Sequence, residues 1–268
     1  MQTDTVAPRA LADWLMARGQ YFVTTDEVAR LVGVEPDILS VSLQRAREAH
    51  KIVSVTKGAW VPVPPEYRAA GAPPPLHYID PLMRHFGHPY YVGLLSAAQL
   101  HGASHQVPMV LQVVTPALLR DRRIGRSRLE FVRRSMTALR PTVVWTVPTG
   151  RVSVSTPAVT VLDLVEAPVS GGGLGNVATV IGDLLQEGSI DGGALADVAA
   201  HYPSAVVQRT GHLAELMAKK VGASVDFHRL ERIVTNAANT LLDPRGPRHG
   251  RRDGRWHLLA NTDIEHDR

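Results

Sequence analysis

Apolar residues recur at helical spacing through the first fifty positions. In RALADWLMARG (9–19), Leu11, Trp14 and Leu15 share one stripe, and Gly19 is placed to stop the helix. In TTDEVARLVG (24–33), Thr24 followed three residues later by Glu27 predicts a capping box, Val28, Leu31 and Val32 make the stripe, and Gly33 ends it. The next helix is expected to begin at Pro36, whose missing N–H is harmless in a first turn, and to bury Ile38, Ser42, Leu43 and Ala46. The pattern then changes to period two: KIVSVTKGAWVPV (51–63) reads as a β-hairpin turning at Lys57-Gly58. Three helices with a short turn between the second and third, followed by a hairpin, predict a winged helix-turn-helix.

Six prolines between Val61 and Pro75 interrupt this pattern and are too many for a helix or a central strand. They divide the chain into a winged helix-turn-helix domain over 1–63, a proline-rich linker over 64–75 and a larger domain over 76–268. Beyond them, DPLMRHFG and YVGLLSAAQLHG read as helices, and MVLQVVT, LEFVR, TVVWTV and VSVS read as strands. TPAVTVLDLVEA has Thr156 as an N-cap and Pro157 at the first helical position. Helices follow to about Asn239, and DGRWHLLANTDI supplies a late strand. The fold class expected is α+β, a mixed α/β domain following the winged helix.

Charge is distributed unevenly. Residues 1–75 carry eight Lys/Arg and eight Asp/Glu, whereas 76–150 carry nine and three. The excess lies in RDRRIGRSRLEFVRR, where Arg120, Arg122, Arg123, Arg126, Arg128, Arg133 and Arg134 stand against two acidic residues. Arginine throughout favours bidentate contact with phosphates or with the carboxylates of an acidic partner, and both remain open. On the third helix, the side away from the core presents Asp37, Ser40, Val41, Gln44 and Arg45, mostly short polar groups followed by a long donor; Ser40, Val41, Gln44 and Arg45 suit a major groove, with Lys51 and Lys57 placed for phosphates.

The chain has no cysteine, which removes disulfides and thiolate chemistry. It has no signal-peptide pattern and no apolar run of about 20 residues, so a cytoplasmic protein without membrane contact is expected. His85, His88, His101 and His105 have the spacing of a zinc finger, but structural zinc sites rely on thiolates, and no metal or other cofactor is expected. GGGLGN (171–176) lacks the phosphate-loop register and reads as a helix–helix connection. Asp163 and Glu166, three apart on one helix, suit solvated or capping roles better than catalysis. No enzyme is required by these residues. A metal-dependent nucleic-acid-modifying enzyme and a winged-helix interaction module without DNA binding remain the alternatives.

Three stretches carry a family resemblance: YYVGLLSAAQLHGASHQVPMVLQVVTP (90–116), VSVSTPAVTVLDLVE (152–166) and LDPRGPRHGRRDGRWHLLANTDIEHD (242–267). With the N-terminal segment they resemble the AbiEi-type antitoxins of type IV toxin-antitoxin systems. The resemblance implies a repressor that autoregulates its operon through operator DNA with inverted repeats and neutralises a cognate nucleotidyltransferase-like toxin, with or without direct contact. It carries over DNA contacts only as Ser40, Val41, Gln44, Arg45, Lys51 and Lys57, and it makes His101 and His105 part of a helix-end packing motif.

Overall fold

The computed structural model describes residues 5–33, 35–103, 110–135 and 140–264. The fold is α+β. The chain gathers into two compact units: the first takes residues 1–90, 109–134 and 144–153, and the second takes 91–108, 135–143 and 154–268.

The first unit opens with α1 (Leu11–Ala17), β1 (Val23–Thr24), α2 (Thr25–Val32), α3 (Pro36–Glu48), β2 (Ile52–Thr56) and β3 (Ala59–Pro62). The capping box forms as expected: the Thr24 hydroxyl accepts from the Glu27 amide, and Glu27 accepts from the Thr24 amide at 2.7 Å. β3 lies between β1 and β2, antiparallel to both. Gly58, at φ +75°, makes the turn between β2 and β3 that a side-chain-bearing residue would strain. Leu11, Leu15, Val23, Val28, Val32, Leu39, Leu43 and Ile52 form the core beneath these elements.

One register differs from expectation. Ile38 does not enter the core: it is 57% exposed, while its neighbour Leu39 is buried. A turn of 100° per residue makes 39, 43 and 46 as good a stripe as 38, 42 and 46, and packing against α2 selects the first.

Residues 64–77 hold two short 3₁₀ segments, Pro65–Ala70 and Pro75–His77, and belong to the first unit. α4 (Ile79–Phe86) follows. β5 (Val110–Thr115) then pairs in parallel with β7 (Ser127–Arg133), and β6 (Arg122–Ile124) runs antiparallel along the other side of β7. LEFVR forms part of β7 as expected, and the arginines before it add β6, so the arginine-rich segment is largely a β-hairpin turning at Gly125-Arg126.

In the second unit, β4 (Tyr91–Val92) is followed by α5 (Leu94–Leu100). β8 (Thr142–Val147) and β9 (Gly150–Ser155) form a hairpin whose tip, 144–153, belongs to the first unit, and β4 pairs in parallel with β9 through Val92 and Val154. Next comes α6 (Pro157–Glu166), capped by Thr156 as expected. Every residue from Ala158 to Val165 is buried, because α5, α7 (Leu174–Gln186), α8 (Gly192–Ala199) and α9 (Ser204–Val221) surround it. Apart from Thr160 and Asp163, this stretch of α6 is apolar on all sides, which requires such a setting.

α10 (His228–Val234) and a small sheet complete the chain. β12 (Leu258–Ala260) lies between β10 (Thr240–Leu241) and β11 (Arg251–Asp253). β12 is the late strand expected; β10 and β11 are too short to leave a periodic signal. The loop between β10 and β11 is fixed by Asn261, which accepts from the Asp243 amide and donates to the carbonyls of Asp243 and Pro247 at 2.9 and 2.7 Å.

Trp256 is fully buried and donates Nε1 to Glu215 at 2.7 Å. Burial pushes Glu215 up, but hydrogen bonds from Trp256 and Lys219 and the charge of Arg255 outweigh it and hold its pKa below the usual range. Asp253 behaves alike: burial is outweighed by His212, at 2.7 Å, and by the Arg255 and Trp256 amides. A depressed carboxylate contributes stability above its unfolded pKa of about 4 and loses it as pH falls through the folded value. Urea unfolding of the wild type and Glu215→Gln across pH 7 to 3 is therefore expected to show the wild type's advantage shrinking below about pH 4. An advantage unchanged to pH 3 contradicts this assignment.

Candidate functional site

Within the first unit, α3 turns Leu39 and Leu43 inward and leaves Ser40, Val41, Gln44 and Arg45 exposed. Gln44 Nε2 donates to Glu48 one turn on, at 3.0 Å. Among the described residues, neither Arg45 nor Arg47 makes an ion pair. Lys57 is exposed at the β2–β3 turn, and Lys51 is half-buried between α3 and β2. A cleft of about 360 Å³ separates the start of α2 from α3, with Leu39, Leu43 and Trp60 as floor and Asp26, Ser40, Gln44 and Arg47 on its rim.

The arginine-rich hairpin belongs to the same unit, and β6 neighbours β2. Arg122 joins the two. It is half-buried, donates Nη1 to the Val55 carbonyl at 3.5 Å and stands over the Phe86 ring at 5.1 Å; burial lowers its pKa from the usual arginine value. Arg120, Arg123 and Arg126 are exposed, and among the described residues their side chains make no hydrogen bond or ion pair. Arg128 pairs with Asp121 at 2.6 Å. Arg133 donates Nε to the Pro116 carbonyl at 3.3 Å, and Arg134 donates to the Arg133 carbonyl at 3.1 Å.

Arg123 and Arg128 are direct cross-strand partners, so two cations stand side by side on one face of the hairpin. Like charges in that relation are unfavourable without an anion between them. Asp121 answers part of this charge, and three arginines remain free for a ligand.

The second unit holds a cluster that sequence reasoning missed. Asp163, expected in a solvated or capping role, is buried in the middle of α6. Its Oδ1 bonds Arg140 Nη1 and accepts from the Tyr202 hydroxyl at 2.9 Å, and its Oδ2 accepts from the Tyr91 hydroxyl at 2.8 Å. Arg140 also reaches Glu166 at 3.1 Å and lies 4.2 Å from the Tyr202 ring centre. Burial pushes Asp163 up to about 6, against the opposing pull of Arg140 and the two hydroxyls. The spacing of Asp163 and Glu166 was visible, but their partner lies 23 residues upstream of Asp163, outside any local pattern.

β4, Arg140, α6 and the turn after α8 meet in this cluster, and Glu166 at its edge also lines a cleft of about 1020 Å³ with Pro168, Asp243 and Arg245. Nearby, His101 ends α5 and bonds the Ser155 carbonyl at 2.7 Å, which places it in a helix-end packing role. His105 lies outside the described residues. Asn176 donates to the Gly171 carbonyl at 2.8 Å, making GGGLGN a fastened connection between α6 and α7. Among the described residues, no three His, Asp or Glu side chains are grouped as a metal site requires, and no helix is long and apolar enough to cross a membrane.

Among proteins of curated function, none matches the chain significantly. Of solved structures, the crystal structure of the RV2827C protein from Mycobacterium tuberculosis is similar, with a TM-score of 0.66 over 95% of this chain and 92% of that one. At 15% identity the likeness speaks for the fold alone. Residues 91–216, which include the Tyr91–Asp163–Tyr202 cluster and all of α5 to α8, match the model of the AbiEi antitoxin C-terminal domain. That segment is just under half of the chain, and through it the chain carries an AbiEi-type antitoxin domain.

Proposed function

We propose that this chain is an antitoxin and also a DNA-binding transcriptional repressor of its own operon, and that the toxin its AbiEi-type domain implies is a nucleotidyltransferase-like protein encoded beside it. In this reading residues 1–63 are a winged helix-turn-helix, 64–75 connect it, and 76–268 carry antitoxicity. α3 enters a major groove with Ser40, Val41, Gln44 and Arg45 at base edges, and Lys51 and Lys57 meet phosphates. The protein acts by binding, without catalysis.

The observation that carries this reading is the joining of an exposed polar helix face and a basic hairpin in one compact unit. Residues 1–75 are neutral overall and supply little phosphate attraction by themselves. The segment 120–134, with seven arginines and two acidic residues, adds a net +5 through a strand that neighbours β2. Arg120, Arg123 and Arg126 are the members free for phosphates.

Fluorescence anisotropy on the DNA immediately upstream of the gene tests this. The wild type is expected to bind with an affinity that falls as salt rises. The Gln44→Ala/Arg45→Ala variant should bind at least about tenfold more weakly while still protecting cells from the toxin encoded by the adjacent reading frame. A double variant that binds as the wild type does removes α3 from the interface.

A further inference from the structure

Ile38 and Val41 are the apolar groups that α3 exposes: the core absorbs neither, and the contacts proposed above include Val41 without saying what it touches and leave Ile38 out. They are 57% and 49% exposed, stand one turn apart on one side of the helix, and are followed by exposed Arg45 at the next turn. We infer that Ile38 and Val41 form an apolar pair that reads the 5-methyl groups of thymines, making them specificity-determining residues of the interface; this rests on the DNA-binding reading above.

The core does not need these side chains, because Leu39 and Leu43 fill the inward stripe. A second protein copy is a poor match. Two side chains fall far short of the roughly 800 Å² per partner that a specific protein interface covers. Thymine methyls are the apolar groups that a major groove presents, and a groove about 12 Å wide admits a helix. Charge fits the same occupant: Arg45 is exposed on the same side of α3 as the pair, and Arg47 and Lys57 are exposed elsewhere in the same unit. Arg45, one turn beyond Val41 on the same side, supplies the polar neighbour that holds this side of the helix against the groove. Contacts of this kind distinguish thymine from cytosine and from uracil, which lacks only the methyl.

The test compares the upstream DNA fragment with the same fragment carrying deoxyuridine for every thymine, each titrated with the full-length wild type and with Ile38→Ala/Val41→Ala. Both positions are exposed and alanine favours the helix, so the variant should keep the wild-type melting temperature and circular dichroism. The wild type is expected to lose on the order of tenfold in affinity on the deoxyuridine fragment, equivalent to burying about two methyl groups. The variant should bind both fragments alike, near the weaker value.

Equal discrimination by both proteins would assign the effect to DNA shape and overturn the inference, although the protein would still bind DNA. A wild type indifferent to the missing methyls overturns it in the same way. Absence of any salt-dependent binding to either fragment overturns the DNA-binding reading itself. Self-association that Ile38→Ala/Val41→Ala abolishes would give the pair to a second copy instead.

Discussion

Replacing Arg140 by alanine is expected to destabilise the second unit by about 3–5 kcal/mol, the range for removing one member of a buried ion pair. Arg140 and Asp163 side chains are 3% and 2% exposed, so no solvent replaces the lost partner. The Tyr91 and Tyr202 hydroxyls would still donate to Asp163, but an uncompensated carboxylate in an apolar helix bundle takes up a proton instead. The sign of the pH effect follows. With its folded pKa far above the unfolded value, Asp163 is stabilising in its protonated form and increasingly costly as pH rises through the folded value. The deficit of Arg140→Ala relative to wild type should therefore be larger at pH 7.5 than at pH 5. Urea unfolding at the two pH values measures both quantities. At neutral pH a melting temperature lower by roughly 10 °C is the calorimetric counterpart. A loss below 1 kcal/mol would mean that the four segments are held by packing alone. Arg140→Met/Asp163→Leu should recover part of the stability, because removing both charges also removes the cost of burying them.

The second large effect concerns Trp256. Trp256→Ala is expected to cost about 3–5 kcal/mol through the cavity left among α9, α10 and the terminal sheet. Phe227 stands at right angles to the indole, with ring centres 6.4 Å apart, and Glu215 accepts from its nitrogen. The indole lies against the backbone of Gly211, where an added Cβ would be 2.1 Å from a ring carbon. In the middle of α9, glycine to alanine would ordinarily gain as much as about 1 kcal/mol. Here Gly211→Ala is expected to lose about 1–3 kcal/mol, since the buried ring has nowhere to move. The same substitution introduced into Trp256→Ala should cost much less or gain stability. This non-additivity, read by denaturant unfolding of the four proteins, separates a steric clash from a general weakness of the helix. Simple additivity would contradict the contact.

Local chemistry is what the sequence made legible. Thr24 with Glu27, Pro36, Lys57-Gly58 and Thr156-Pro157 each mark an element end by a hydrogen bond or backbone preference contained within a few residues. Register on α3 was not legible, because Ile38 and Leu39 are equally apolar and only the packing partner chooses between them. β6 was hidden in a run of arginines, whose polarity on both faces erases the period-two signal. The Arg140 cluster was hidden for another reason: its hydrogen bonds span 23 to 72 residues, and a charged residue in sequence carries no mark of where it will be buried. The exposed residues proposed for DNA were legible as types, and the structure adds that Gln44 is engaged by Glu48, that Arg128 is paired, and that the side chains of Arg120, Arg123 and Arg126 make no ion pair among the described residues.

The facing pair Arg123 and Arg128 gives the β6–β7 ribbon an energetic asymmetry. An anion settling between them gains its own attraction to each guanidinium and also cancels their mutual repulsion, so the ribbon is held more firmly when occupied than when bare. Recognition and stiffening are thereby linked at this edge: inorganic phosphate or sulfate should slow amide exchange in the ribbon before it affects the helices of the second unit.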